Sequence, residues 1–310
     1  MNMALEVKDL VKEYKKSTFR LNNVTFSLPK GAIMGFVGEN GAGKTTTIGC
    51  ILNTLIKNSG TVKVFGREMT DEATDLRDDI GVVYDKNAFP THLNALKVAS
   101  IMRRIYTNWD DDLYQKYLDI FKLPPKAKIK TFSRGMTMKL AVATALSHRP
   151  KLLILDEATA GLDPIVRDDI LEVFLDFVQD ENNSILLSSH ITSDLEKVAD
   201  YITFIHDGSI IFSETKDALK YSYGIMRCKA AQFAELDKED ILAYRKHDYQ
   251  TDVLVADKQA AAKKYRDIII DNITIEEIML MYVKGTPPRS GLHEVQGRPA
   301  SERSEREGDR

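Results

Sequence analysis

The sequence is poor in cysteine, lacks long apolar runs and carries no excess of either charge. Only two cysteines, Cys50 and Cys228, occur among its 310 residues, which excludes a disulfide framework and favours a reducing compartment. No apolar run approaches the roughly 20 residues of a membrane-spanning helix. Because 43 Lys and Arg residues nearly balance 46 Asp and Glu residues, we expect no binding to nucleic acid through a broad positive field.

The beginning of the chain predicts no secretory signal. Met1–Glu6 contains neither a basic segment nor an apolar one, and a signal peptide requires both. With 43% hydrophobic residues, the chain can form an ordinary core. We therefore expect a soluble cytosolic protein, and any membrane role would have to come through a partner.

Short apolar runs alternate with helical stretches along most of the chain. The runs at Ile33–Val37, Leu152–Leu155 and Ile185–Leu187 are apolar on both faces, as central strands of a parallel sheet are. An Asp-Gly pair at 207–208 predicts a hairpin turn. The alternation predicts an α/β fold with a largely parallel sheet whose faces are covered.

Two further local patterns predict where elements begin. The segment Asn58–Gly60 is rich in turn-forming residues and predicts a turn before a strand over Thr61–Phe65. The spacing of Ser193 and Glu196 predicts a capping box that opens a short helix.

Composition divides the chain into three expected parts. Residues 1–215 form the main domain, which is mostly helical from about 88 to 148, and residues 216–285 form a small α/β region. Residues 286–310 contain no aromatic residue and no Ile. Such a segment buries too little apolar surface to offset the entropy of ordering it, so we predict a disordered tail there.

A phosphate-binding loop is the strongest motif. Residues 38–45 match G-x-x-x-x-G-K-[ST] between a predicted strand and a helix over Lys44–Leu55. In such a loop the backbone N–H groups and the helix N-terminus bind phosphate, Lys44 bridges the β- and γ-phosphates, and the Thr45 hydroxyl binds Mg²⁺. The alternative is an ordinary glycine-rich turn. The predicted ATP-binding residues of this loop are Gly38, Glu39, Asn40, Gly41, Ala42, Gly43, Lys44, Thr45 and Thr46.

Two carboxylates end an apolar strand. Asp156 and Glu157 follow Leu152–Leu155, and ligands of open α/β sheets bind beyond the carboxyl ends of the strands. Asp156 is therefore a candidate Mg²⁺ ligand, and Glu157 a candidate general base toward water. The alternative is a charged surface turn.

Two further residues complete the candidate site. Ser133 precedes a helical run. In one interpretation its hydroxyl, the backbone N–H groups and the helix dipole bind an anion. In the other, Ser133 is a plain N-cap. His190 follows the strand Ile185–Leu187 and can hydrogen-bond a γ-phosphate, although a lone His is more often structural.

The ordered set of motifs resembles the ATP-binding subunit of an ABC transporter over about Leu5–Glu214. The loop at 38–45 corresponds to Walker A and the strand ending in Asp156 and Glu157 to Walker B. His190 corresponds to the switch histidine. The remaining correspondences are Tyr14 for the aromatic residue that stacks on adenine, Ser133, Arg134, Gly135 and Met136 for the signature, and Asp163 for the D-loop.

The resemblance implies a mechanism and partners. Two ATP-binding domains pair head to tail, so Ser133 would contact the ATP that the partner subunit's Walker A loop holds. The second domain is either an identical chain or a related ATPase. Membrane-spanning subunits convert the closing and opening of the pair into transport. The sequences around Trp109 and the signature are similar to those of bacterial ABC-2 exporters, which implies an exporter.

Four positions depart from the family pattern, and one of them, Ala158 in place of a proline, is expected to matter little. Asp85 stands where the family has Gln, and we expect it to approach Mg²⁺ or the attacking water. Arg134 and Met136 replace Gly and Gln of the signature; Arg134 either adds a positive charge near the phosphates or points to solvent. Because Lys44 and Glu157 are intact, the resemblance implies a hydrolysing site, with Glu157 and His190 as its catalytic residues.

Three other functions fit the sequence less well. A soluble ABC ATPase of translation or repair would carry a second ATPase domain or long coiled coils, and neither is present in the sequence. An ATP-binding switch without hydrolysis would not need Glu157. A GTPase would carry the Asn-Lys-x-Asp motif, which is absent.

Overall fold

The computed structural model describes residues 2–15, 18–85 and 89–287. The chain divides into two compact units, Met1–Ile210 and Ile211–Arg310. Residues 288–310 of the predicted tail, and residue 88 at the predicted start of the helical region, lie outside the described residues. Within the described ranges no helix has both the length and the apolarity to cross a bilayer.

The elements of the first unit alternate between strands and helices. Its strands are β1 (Met3–Glu13), β2 (Arg20–Pro29), β3 (Ile33–Val37), β4 (Ser59–Val64), β5 (Arg67–Glu68), β6 (Ile80–Tyr84), β7 (Leu152–Asp156), β8 (Ser184–Ser189), β9 (Tyr201–His206) and β10 (Ser209–Thr215), in which the division between the units falls. Its helices are α1 (Lys44–Ile51), α2 (Thr74–Asp78), α3 (Ala95–Met102), α4 (Asp111–Ile120), α5 (Arg134–Leu146), α6 (Pro164–Phe177) and α7 (Thr192–Val198), with a 3₁₀ turn at Ile129–Thr131.

A six-stranded sheet with the order β10-β9-β3-β8-β7-β6 forms the centre of the first unit. The pairs from β9 to β6 are parallel. Every residue of β3, β7 and β8 is buried, which is why these strands are apolar on both faces. In this register Asp156 lies beside Ser188 of β8 on one side and Tyr84 of β6 on the other. The predicted strands and the largely parallel sheet are therefore present.

A second, antiparallel sheet has the order β2-β1-β4-β5. In β2 the buried residues Val24, Phe26 and Leu28 alternate with exposed ones, so one face of the strand is apolar. The ring of Phe26 stacks on that of Phe36 in β3 at 5.2 Å between centroids. The two sheets thus share one hydrophobic core, as a mixed α/β domain requires.

The predicted turn at Asn58–Gly60 is wrong, because Ser59 and Gly60 belong to β4. Gly60 has φ +91°, and a Cβ on it would lie 2.4 Å from the carbonyl oxygen of Asp9. The pairing of β1 with β4 shifts register between Lys8 and Val11, where this approach occurs. The glycine therefore serves a bulge within the sheet rather than a turn before it.

The stretch that follows β6 is mainly helical, as predicted. Asn94, Asp110 and Ser133 cap α3, α4 and α5 with their side chains. The ring of His148, just past α5, lies with Nε2 3.1 Å from the carbonyl oxygen of Ile80 in β6. The long helix α5 is thereby fixed beside the edge strand of the central sheet.

Two local predictions near the end of the first unit have different outcomes. The hairpin at 207–208 is confirmed, since β9 and β10 flank that pair. The capping box at Ser193 is wrong, because α7 already begins at Thr192 and its N-cap, Ile191, makes no side-chain cap. Instead, Ser189 accepts a hydrogen bond from the backbone N–H of Ile191 at 3.0 Å.

The second unit has its own antiparallel sheet and core. Its strands β11 (Gly224–Cys228), β12 (Ala243–Lys246), β13 (Thr251–Val255) and β14 (Ile269–Asp271) have the order β12-β13-β11-β14. Its helices are α8 (Lys216–Tyr221), α9 (Ala230–Ala234), α10 (Lys258–Lys264) and α11 (Ile275–Lys284), with a 3₁₀ turn at Lys238–Asp240. Thr286, which the predicted tail includes, pairs through its backbone with Tyr244.

Candidate active site

The phosphate loop joins β3 to α1, and its lysine is folded inward. Gly43 at the helix N-cap has φ +117° and gives the helix no side-chain cap, so the first N–H groups of α1 remain available to an anion. Lys44 is 6% exposed. Its Nζ donates to the carbonyl oxygens of Gly38 at 2.7 Å and of Glu39 at 3.2 Å. The predicted helix to Leu55 ends earlier, at Ile51.

One of the two predicted carboxylates, Glu157, lies next to this lysine. Glu157 follows β7 in a left-handed conformation with φ 55°, and its N–H donates to the carbonyl oxygen of Ser188 at 3.1 Å. One carboxylate oxygen, Oε1, lies 3.2 Å from Lys44 Nζ. The other, Oε2, lies 2.5 Å from Nδ1 of His190. Glu157 thus lies between a buried cation and a half-exposed imidazole.

Asp156 lies deeper, at the carboxyl end of β7. Burial raises the pKa of its carboxyl group, while the hydroxyls of Thr45 and Ser188 act against that rise. Its buried Oδ1 has no hydrogen-bond partner among the described residues. A buried carboxylate oxygen without a partner is costly unless a cation or a donor meets it. The pair of Thr45 hydroxyl and Asp156 carboxylate therefore fits a hard cation such as Mg²⁺.

The described residues alone do not supply a full metal site. Within residues 2–15, 18–85 and 89–287 no group of three or more His, Cys, Asp or Glu side chains could hold a metal ion. Mg²⁺ in phosphoryl-transfer sites takes one or two protein ligands and completes its shell with phosphate oxygens and water. The donor set of Thr45 and Asp156 agrees with that pattern.

Ser133 and its neighbours lie at the N-terminus of α5. The hydroxyl of Ser133 accepts from the N–H of Met136 at 3.1 Å, so it is an N-cap. Gly135 is buried, and a Cβ on it would lie 3.0 Å from Cγ1 of Val166 in α6. In the described part of the chain no hydrogen bond or ion pair joins Ser133 to Lys44 or Glu157.

Arg134 and Asp85 form an ion pair that neither predicted orientation of the arginine includes. Nη2 of Arg134 donates to Oδ1 of Asp85 at 2.5 Å. In this conformation the guanidinium faces a carboxylate of its own chain. Asp85 correspondingly faces an arginine, whereas the resemblance predicts that it approaches a metal ion or water.

Comparison with known proteins identifies the family. A family model described as ABC transporter matches residues 21–160. The lantibiotic transport ATP-binding protein SrtF of Streptococcus pyogenes is 38% identical over 218 residues, which cover 69% of this chain and 91% of that protein. The chain belongs to the ABC transporter ATP-binding proteins. The bacitracin transport ATP-binding protein BcrA of Bacillus licheniformis is 34% identical over 224 residues, or 71% of this chain and 72% of the relative.

A solved structure supports the same assignment. An ATP-binding subunit of an ABC transporter superposes with a TM-score of 0.62 at 27% identity, over 70% of this chain and 92% of that one. A dimeric ATP-binding cassette bound to ADP and Pi, 21% identical, has the same fold with a TM-score of 0.61 over 68% of this chain and 98% of that one. The predicted family, the P-loop α/β fold and the ATPase function of a transporter subunit are confirmed.

The structure also adds residues to the site of this ABC transporter ATP-binding protein. The ring of Phe19 lies against the phosphate loop, because a Cβ on Gly43 would meet its Cζ at 3.1 Å. Tyr14, predicted to stack on adenine, is 38% exposed, with Nζ of Lys12 5.1 Å from its ring centroid. Ser188 joins the site through its register with Asp156. Phe19 is a single aromatic residue before β2, and Ser188 is a serine within an apolar strand. Neither has a local sequence pattern that would predict a role in the site.

Proposed function

We propose that this chain hydrolyses ATP with Glu157 as the general base, and that the cycle drives an exporter. The observation that carries the proposal is the position of Glu157, which contacts Lys44 through one carboxylate oxygen and His190 through the other. The site lies beyond the carboxyl ends of adjacent parallel strands, where α/β sheets bind ligands. ATP bound there places its terminal phosphate beside a base, a cation and an imidazole.

Binding begins at the phosphate loop. The backbone from Gly38 to Thr46 and the uncapped N-terminus of α1 receive the phosphates. Lys44 exchanges its contacts with the Gly38 and Glu39 carbonyls, and with Glu157, for oxygens of the β- and γ-phosphates. This exchange leaves Oε1 of Glu157 free to accept a proton, so nucleotide binding itself prepares the base.

Hydrolysis then needs an oriented water. Glu157 accepts the proton of the attacking water, the water oxygen bonds to the γ-phosphorus, and the bond from that phosphorus to the bridging oxygen of ADP breaks. His190 keeps the carboxylate oriented through Nδ1 and can hydrogen-bond the γ-phosphate. Thr45 and Asp156 would hold Mg²⁺, which neutralises charge on the β- and γ-phosphates when bound.

The active unit is proposed to be a head-to-tail pair. Ser133, Gly135 and Met136 would contact the nucleotide held by the partner chain, and the D-loop residue Asp163 would lie at the same interface. Asp163 also caps α6, accepting from the N–H of Val166 at 3.0 Å. Closure of the pair excludes water and completes the site. The partner chain is an identical copy or a related ATPase.

The assembly is proposed to include membrane-spanning subunits, with this chain bound at the cytoplasmic face. Residues 1–215 would form the ATPase domain, with its helical part at about 88–148, and residues 216–285 an accessory region. The names of the relatives, which refer to bacitracin and lantibiotic transport, support a peptide antibiotic as the class of cargo.

Copurification tests the proposal. The tagged chain is isolated from native membranes in mild detergent, and its partners are identified by mass spectrometry. We expect a multi-span membrane protein in stoichiometric amount and ATPase activity in the purified complex. Recovery in the soluble fraction alone, or a complex without ATPase activity, would contradict the transporter role or the hydrolysing role respectively.

A further inference from the structure

Three loops of the first unit meet at the guanidinium of Arg134. Nη2 donates to Asp85, the residue directly after β6. Nη1 of Arg134 occupies the space beside Gly161, in the loop after β7. A Cβ atom on Gly161 would lie only 2.6 Å from Nη1. Arg134 is itself the first residue of α5, directly after Ser133. One side chain therefore contacts the segments that follow β6 and β7 and carries the N-terminus of α5 with it.

The two residues of the ion pair are the two charged departures from the family pattern. Residue 85 is an acid and residue 134 is a base, where the resemblance described above leads us to expect a neutral Gln and a Gly. These positions are 49 residues apart, yet the charges are opposite and in contact at 2.5 Å.

The pair does little for the stability of the fold. Its side chains are 53% and 42% exposed, and exposed ion pairs are screened by water and salt. Its effect is instead geometric, because a guanidinium presents several donors in a fixed plane. A plane that contacts both Asp85 and the backbone at Gly161 restricts how α5 can rotate about its N-terminus.

We propose that Arg134 is a positioning residue, which uses Asp85 to hold Ser133 in the orientation that the partner's nucleotide requires. The proposal deepens the proposed function and rests on it. Asp85 then fixes the N-terminus of α5 through Arg134 and is not a metal ligand. Movement at the end of β6 reaches the signature through this contact.

A charge exchange in the purified transporter complex tests the proposal. Arg134→Gln and Asp85→Asn are each expected to lower the ATPase kcat about tenfold, within the range of coupling between contacting residues. The double variant with Asp85→Arg and Arg134→Asp is expected to recover most of that loss. Arg67→Gln is the matched control, since Arg67 of β5 forms a similarly exposed ion pair with Asp75 of α2 at 2.7 Å. The kcat of this variant should equal that of the wild type.

Two further readouts separate positioning from other roles. The midpoint of thermal unfolding should be unchanged in all variants, because the pair is exposed. The Mg²⁺ concentration for half-maximal activity should also be unchanged. A raised Mg²⁺ requirement in Asp85→Asn alone would overturn the proposal in favour of a metal ligand, and a charge exchange without recovery would overturn the coupling. Inactive wild-type complex would instead overturn the proposed function on which the inference rests.

Discussion

Two ion-pair clusters lie at the same edge of the central sheet, and they differ in burial. In the first, Lys44 and Glu157 have side chains 6% and 17% exposed. In the second, Arg134 and Asp85 have side chains about half exposed. Electrostatic interactions strengthen as water is excluded. The first cluster is therefore suited to catalysis, and the second to positioning α5. The difference predicts variants with very unequal effects.

The largest effect is expected at Lys44. Lys44→Ala removes the cation at the β- and γ-phosphates and leaves Glu157 without its buried partner. We expect the ATPase kcat/KM to fall by about 10²–10³, as when one preorganised electrostatic group is deleted. Steady-state hydrolysis by the purified complex measures this, with Lys63→Ala on the exposed face of β4 as the control. Normal turnover in Lys44→Ala would contradict the assignment of the phosphate loop.

Asp156 should show opposite effects on activity and on stability. Its folded-state pKa is raised, chiefly by burial, above an unfolded value of about 3.9. The stabilisation from the protonated form is therefore full below the unfolded pKa and is lost as pH rises through the folded pKa. The Asp156→Asn variant avoids this loss of stability at high pH, because an amide does not ionise. The same substitution removes a proposed Mg²⁺ ligand.

Thermal unfolding in EDTA, without nucleotide, tests the stability part of this expectation. At neutral pH the Asn variant should unfold at a higher temperature than the wild type. The difference should shrink as the pH approaches about 4. ATPase activity of the same variant should be strongly reduced. A variant less stable than the wild type at neutral pH would show that Asp156 is not electrostatically strained.

The smallest effect is a salt dependence at the exposed cluster. Raising the NaCl concentration from about 0.05 M to about 0.5 M shortens the Debye length severalfold. The ratio of wild-type kcat to that of Arg134→Gln should therefore move toward one, whereas the corresponding ratio for Lys44→Ala should hardly change. Equal salt dependence of the two ratios would remove the contrast between the clusters.

The sequence predicts the buried cluster far better than the exposed one. The phosphate loop is a contiguous motif, and Asp156 and Glu157 follow a strand that is recognisable by its apolar run. Because both strands belong to one parallel sheet, their carboxyl ends bring the loop and the two carboxylates together. The contact of Arg134 with Asp85 depends instead on β6 lying next to β7 and on where α5 begins. Sequence separation of 49 residues hides such a contact, although the two departures from the family pattern marked both positions.

Local sequence signals failed where tertiary contacts determine the structure. Glycine is a turn former, which predicts a turn at Gly60, yet the close approach of the Asp9 carbonyl oxygen in a bulge is what requires a glycine there. Ser193 matched a capping pattern, but Ile191 and Thr192 already open α7. In both cases the residue type indicates a special backbone position, and the neighbouring strand or helix determines which structure forms there.

The central claim is that Glu157 is the base of an ATPase that works as a closed pair, and Glu157→Gln tests it most directly. The variant and the wild type are incubated with ATP and Mg²⁺, and their hydrolysis rates and molecular masses are measured, the latter by light scattering after size-exclusion chromatography. Glu68→Gln on β5 is the control. The account predicts that Glu157→Gln binds ATP, hydrolyses it at least about 10² times more slowly and accumulates as a dimer. A hydrolysis rate equal to that of the wild type would contradict it.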